Sequence, residues 1–148
     1  MAHRALYYHI VFSTKQRRAM LKGDILERTC RYLAGIAHKL GGHVILAGGM
    51  PDHLHLATTI PATMPVADFV RTIKANSSAW LHQEFPHQSA FQWQVGYAAF
   101  TISPSVLPQV TRYISRQAQH HRRLTFEEEL RALLEKHGVE YDKQYVLG

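Results

Sequence analysis

Residues 43–60 read HVILAGGMPDHLHLATTI, two apolar runs joined through Pro51-Asp52. Runs rich in Val, Ile, Leu and Thr on either side of such a pair are expected to form two strands, 43–50 and 53–60, joined as a hairpin. Side chains alternate faces along a strand, so His53 and His55 share one face while Leu54 and Leu56 share the other. One face suits a core. The other brings two imidazoles toward a single point.

Working outward, ALYYHIVFST (5–14) is β-branched and aromatic and reads as a central strand, with the basic loop KQRR (15–18) after it. A first helix is expected from Asp24, where Glu27 follows at capping-box spacing. Leu26, Cys30, Leu33, Ala37 and Leu40 recur at helical intervals, and Gly41-Gly42 can end the helix in a left-handed turn. Val66, Phe69, Val70, Ile73, Ser77, Trp80 and Leu81 make 65–84 a second amphipathic helix, and GYAAFTIS (96–103) a fourth strand. After Pro104 and Pro108, residues 106–122 are expected as a third helix and 126–138 as an acidic fourth.

The order β-α-β-β-α-β followed by two helices is the ferredoxin-like pattern. It is an α+β fold with a four-stranded antiparallel sheet and C-terminal helices that here carry Tyr113. The chain is expected to form one domain over 1–148. Its core spans about 5–103, the tyrosine helix about 106–122, and an acidic helix and tail 125–148.

Composition narrows the class. In 148 residues, 46% are hydrophobic and 19% charged, as in a globular domain and unlike a disordered chain. With Cys30 as the only cysteine, neither an intrachain disulfide nor a cysteine zinc cluster can form, which suits a cytoplasmic setting. ALYYHIVF is too short to span a membrane or to serve as a signal peptide, so no membrane is expected as a partner. The net charge of +6 is uneven. Residues 1–124 hold 14 basic and 5 acidic side chains, and residues 125–148 hold 3 and 6. A basic body of this kind attracts polyanions, foremost nucleic acid.

Two imidazoles at i and i+2 can bind one transition ion side by side, but two ligands are too few. The stretch VTRYISRQAQHHRR (110–123) offers a third, because Tyr113 and Gln117 lie four apart and share a helical face. Residues 111–123 hold Arg112, Arg116, Arg122 and Arg123 with His120 and His121 and no acid, a face suited to a phosphate backbone. Together the two stretches suggest His53, His55 and the Gln117 amide oxygen around a divalent cation, Mg²⁺ or Mn²⁺, with Tyr113 one turn away as nucleophile. Attack on a phosphodiester would leave a phosphotyrosine and a free hydroxyl that can attack in turn, which rejoins strands without ATP. Lys74 and Asn76 on the second helix are further candidates for DNA contact. Asp52 could accept from an imidazole N–H or simply make the turn. His9 reads as structural, and Trp93 as packing or as a base-stacking platform.

PDHLHL resembles the His-hydrophobic-His signature of the HUH single-strand nucleases. YISRQAQHH is similar to the tyrosine-helix motif of the small single-tyrosine transposases, the IS-two-hundred-like and REP-associated kinds. The resemblance runs through YHIVFSTK, GGHVILAGGMPDHLHL, VADFVRTIKANSSAWLH, GYAAFTISPS and the tail. GYAAF differs slightly from the GYGAF common in that family, at no catalytic position. The resemblance implies a DNA transposase that works through a 5′-phosphotyrosine, with Tyr113 as nucleophile and His53, His55 and Gln117 as metal ligands, acting on single-stranded, hairpin-containing DNA. Relaxases place their tyrosine before the histidine pair, and Tyr7, Tyr8 and Tyr32 lack a helical Gln or His four residues on.

The alternatives are a domesticated repeat-processing nuclease, a non-catalytic ferredoxin-like nucleic-acid binding module, and a metal hydrolase acting on small phosphoesters. The proline-bearing link SPSVLPQV (103–110) is expected to limit how far the third helix folds back over its own sheet. Together with the resemblance, that predicts a homodimer with composite sites, the His pair from one chain and Tyr113 and Gln117 from the other.

Overall fold

The computed structural model of the chain describes every residue except 145, 147 and 148, so the very end of the expected acidic tail lies outside the described residues. Four strands, β1 (Tyr7–Ser13), β2 (His43–Met50), β3 (His53–Thr59) and β4 (Ala98–Ile102), form one sheet in the order β2-β3-β1-β4. All neighbours are antiparallel. The helices are α1 (Asp24–Lys39), α2 (Val66–Glu84), α3 (Leu107–Ser115), α4 (Gln117–His120) and α5 (Phe126–Lys136). This is the expected ferredoxin-like α+β topology.

The alternation read from the hairpin divides the molecule. Ile10, Phe12, Leu54 and Leu56 point to the face covered by α1 and α2, where they pack with Leu33, Ala37, Phe69 and Ile73. The opposite face carries Val11, Ala57, Phe100 and Ile102, and there Ile114 of α3 and Phe126, Leu130 and Leu134 of α5 close over it. His9, His53 and His55 lie on this second face and are almost fully buried. In register, Val11 stands opposite His55 and Ser13 opposite His53.

Boundaries depart from expectation where local chemistry differs. Asp24 does not cap α1, because it is already helical. The cap position falls on Gly23 at φ +60, with no side-chain hydrogen bond, and Glu27 pairs with Arg31 instead. Gly41 does end α1 in a left-handed conformation, φ +96. β4 starts at Ala98, two residues later than expected, because the backbone turns at Gly96 (φ +93) and the Lys74 ammonium donates to the carbonyls of Gln94 and Gly96.

The expected single helix 106–122 is broken. A 3-10 turn at Pro104–Val106 leads into α3, and non-helical Arg116 (φ −106, ψ 24) separates α3 from α4. The link also fails to keep α3 off its own sheet. Its two prolines sit in the first turns of the 3-10 segment and of α3, where a missing N–H costs nothing, so they start helices rather than stiffen an outward strut. α3 then lies against β2 at Gly48, where an added Cβ would meet Ile114 Cγ2 at 3.1 Å and Ile114 O at 3.2 Å. No helix among the described residues is long and apolar enough to cross a membrane.

Candidate active site

β3 supplies the histidine pair, and the second-face helices bring four more side chains to it. His53 Nε2 lies 2.8 Å from Gln117 Oε1 and 3.3 Å from Glu129 Oε1. His55 Nε2 lies 3.1 Å from the same Glu129 oxygen, and His121 Nε2 lies 3.0 Å from it and 3.1 Å from Gln117 Oε1. The other Glu129 oxygen accepts from the Gln117 amide at 2.8 Å and from the Tyr113 hydroxyl. Tyr113, Gln117, His53 and His55 therefore meet within one chain despite the break at Arg116. Phe126 stacks on His53, with ring centres 4.3 Å apart, and helps to seal the site from water.

Each histidine of the pair is oriented from behind. His53 Nδ1 donates to Asp52 Oδ1 at 2.7 Å, so Asp52 takes the supporting role open to it from sequence. His55 Nδ1 faces His9 Nε2 at 2.8 Å; with His55 Nε2–H given to Glu129, the network assigns His9 as donor and His55 Nδ1 as acceptor. His9 thus acts as a structural support.

The electrostatics follow from one buried carboxylate. Burial opposes the charge on Glu129, but hydrogen bonds from His53, His55 and Tyr113 outweigh it and hold the carboxyl far below its usual range. Burial would also lower His53, yet Asp52 on one nitrogen and Glu129 with Gln117 on the other raise it to about 9. His55 is lowered by its complete burial, and His9, buried beside His55, falls to about 3. Burial and then the Glu129 carboxylate push the Tyr113 phenol well above its ordinary range. Tyr113 is thereby held as the neutral phenol.

His53, His55 and Glu129 are grouped so that they could hold a metal ion. Separations near 3 Å among imidazole nitrogens, a carboxylate oxygen and an amide oxygen are those of ligands sharing one ion at bonds of roughly 2.0–2.3 Å, so the residues present fit a divalent cation. Sequence reasoning did not find Glu129. It sits within FEEE, whose neighbours Glu127 and Glu128 engage Arg131 and the Thr125 cap, and only its helical phase, level with Phe126 and Leu130, marks it as inward-facing.

The remaining candidates fall into three places. His121 joins the cluster. His120 rests on the Tyr113 ring, centres 4.6 Å apart, and its buried Nε2 has no hydrogen-bond partner among the described residues. Arg112, Arg116, Arg122 and Arg123 are exposed and form no ion pair among the described residues. Lys74 and Asn76 stand on α2, on the far side of the sheet from the histidine pair, where Lys74 clamps the 94–96 loop and Asn76 faces solvent. Trp93 packs on Phe12 and Phe91 and donates to Ser77, a packing role.

The chain has recognisable relatives. It is 28% identical over 117 residues to the ISDra2 transposase TnpA of Deinococcus radiodurans, covering 76% of this chain and 84% of that protein. It is 26% identical, again over 117 residues, to the transposase for insertion sequence element IS200 of Salmonella typhimurium, covering 76% of each. Among solved structures, a transposase from Deinococcus radiodurans superposes with a TM-score of 0.65 at 25% identity, covering 79% of this chain and 95% of that one. A REP-associated tyrosine transposase bound to a REP hairpin shares the fold, with a TM-score of 0.60 at 15% identity over 82% of this chain and 73% of that one. The family profile described as "Transposase IS200 like" matches residues 2–117, well over half of the chain, and with that span the protein belongs to the IS200-like transposase family.

Proposed function

We propose that this transposase cleaves and rejoins single-stranded DNA through a covalent 5′-phosphotyrosine at Tyr113. The observation that carries the reading is the sharing of one buried carboxylate, Glu129, by the Tyr113 hydroxyl, Gln117 and both histidines of the pair. His53, His55 and Glu129, with Gln117 and His121 at their edge, would hold Mg²⁺ or Mn²⁺. When bound, the cation polarises a non-bridging oxygen of the scissile phosphate.

In the step itself Tyr113 Oη attacks phosphorus. The phenolic proton passes to Glu129 Oε2, which already accepts it as a hydrogen bond. The P–O3′ bond breaks, the leaving oxygen takes up a proton from solvent and departs as a 3′-hydroxyl, and Glu129 returns the phenolic proton to solvent. The reverse attack by a 3′-hydroxyl restores a phosphodiester and frees the tyrosine. Arg112, Arg116, Arg122 and Arg123 line the approach as phosphate contacts. A hairpin-containing single strand is the proposed substrate, in line with the relative described as bound to a REP hairpin.

Assembly as a homodimer with composite sites belongs to this reading. Exchange of α3 between two copies would reuse the contacts that each chain makes with itself. Mixing a His53→Ala, His55→Ala protein with a Tyr113→Phe protein separates the two arrangements. Restored cleavage assigns the site to two chains, and mixed dimers that stay inactive assign it to one.

The test of the chemistry is adduct formation. Incubated with single-stranded hairpin DNA and Mg²⁺ or Mn²⁺, the protein should give a covalent species stable to denaturant, lost in Tyr113→Phe and on chelation. No adduct from the wild type, or an adduct surviving in Tyr113→Phe, would overturn it.

A further inference from the structure

A cavity of about 510 Å³ opens between α3, α5 and the β1–β4 side of the sheet, and Tyr113 forms part of its wall. Its volume lies within the roughly 300–1,000 Å³ typical of small-ligand sites. Val106 and Val110 from one segment and Ala132 and Leu133 of α5 from another line it with aliphatic side chains. Lys136 and His137 stand on the α5 side, and buried His9 lies on the sheet side. His137 is itself stacked on Phe100, ring centres 4.2 Å apart, which fixes its plane. Apolar walls with a fixed imidazole ring and a cation nearby suit a nucleobase with its attached phosphate.

We infer that this cavity receives the nucleotide on the 3′ side of the scissile phosphate, the one that keeps the 5′-phosphate after cleavage. The inference rests on the proposed tyrosine chemistry. In-line displacement sends the leaving 3′-oxygen away from the attacking Tyr113 oxygen, so the upstream strand departs on the side remote from the tyrosine. The downstream nucleotide stays tethered to Tyr113 Oη and must lie beside the ring. The cavity that the tyrosine itself lines is the space available there. Its α5 wall lies beyond residue 117, where the match to the family profile ends. Anchoring the tethered nucleotide holds the phosphotyrosine in place while the released 3′-hydroxyl strand exchanges.

The experiment fills the cavity from each of these two segments, with Ala132→Trp and, separately, Val106→Trp. Ala132 and Val106 are both exposed, so an indole there can reach into the cavity without displacing the core. Thermal unfolding and Mn²⁺ binding by the full chain report whether fold and metal cluster persist. The cleavage position is first mapped on wild-type adduct, and hairpin oligonucleotides are then made with an abasic residue at the first position 3′ or 5′ of it. The filled variants should form adduct about tenfold or more slowly on normal DNA, and recover to near the wild-type rate when the 3′ position is abasic. Wild type should itself slow on the 3′-abasic strand.

Filled variants that cleave normal DNA at the wild-type rate overturn the assignment, as does rescue by the 5′-abasic strand instead. Variants that keep fold and metal yet stay slow on the 3′-abasic strand also overturn it. No adduct from wild type overturns the tyrosine chemistry itself, an outcome separate from all of these.

Discussion

Gln117 and His53 are 64 positions apart in sequence, yet the Gln117 amide oxygen lies 2.8 Å from His53 Nε2 while its amide nitrogen donates to Glu129 at 2.8 Å. One side chain thus ties the strand histidine to the helical carboxylate. Gln117→Ala should weaken Mn²⁺ binding by roughly 10–100-fold, the usual cost of losing a group that ligates or orients ligands. Glu129→Ala should weaken it at least as much. Calorimetry or the Mn²⁺ electron paramagnetic resonance signal measures both; affinities equal to wild type would remove these residues from the metal cluster.

Gly48 sets the approach of α3 to the sheet. In Gly48→Ala the new methyl would stand 3.1 Å from Ile114 Cγ2 and 3.2 Å from Ile114 O, so α3 must shift. Overpacking of this kind costs about 1–3 kcal/mol, read as a lowered melting temperature. Because Tyr113 precedes Ile114, adduct formation should fall further than the lost stability explains. A stable variant with unchanged adduct rate would show that the helix has room to spare.

Lys74 makes a prediction about pH. Burial lowers its ammonium to about 8 from the ordinary value of 10.5, so between those limits the unfolded chain binds more protons at this site than the folded one. Stability from this group therefore rises with pH across that window. Urea unfolding at pH 7.5 and pH 10 should show the wild type gaining on Lys74→Met as pH increases. Parallel behaviour of the two proteins would contradict it.

The exposed arginines should act through phosphate. Removing Arg122 and Arg123 together should weaken single-stranded DNA binding irrespective of sequence and flatten the dependence of log K on log salt by roughly 1.4, about 0.7 per lost contact. Fluorescence anisotropy over a salt series measures this; an unchanged slope would place both guanidinium groups off the DNA.

Thr125 caps α5 through a complete capping box with Glu128. Thr125→Ala should cost about 1 kcal/mol and fray the turn that presents Phe126 and Glu129. Weaker Mn²⁺ binding should accompany the lower melting temperature. Loss of stability without change in metal affinity would show that Glu129 is held by its own contacts alone.

The period-two alternation in HLHLATT and the period near 3.6 in 24–40 and 65–84 are local properties of neighbouring residues, and they suffice for the element order, the sheet and the division of β3 into a core face and a histidine face. The pair His53 and His55 is likewise visible, because a strand determines which of its own side chains share a face, whereas Tyr113 and Gln117, expected on one helix, lie on α3 and α4 and are joined at the site through Glu129. What joins separate elements is not local. Within the single chain, α3 lies against its own sheet through the close approach at Gly48 and through prolines that begin helices, neither of which spacing alone reveals. Glu129 shows the limit most clearly: among three consecutive glutamates, two are on solvent-side pairs and one is buried beneath Tyr113 against three imidazoles, and only the packing of α5 over the second face decides which. A buried carboxylate is tolerable only where donors converge on it, and that convergence exists in the folded chain and in no segment of it.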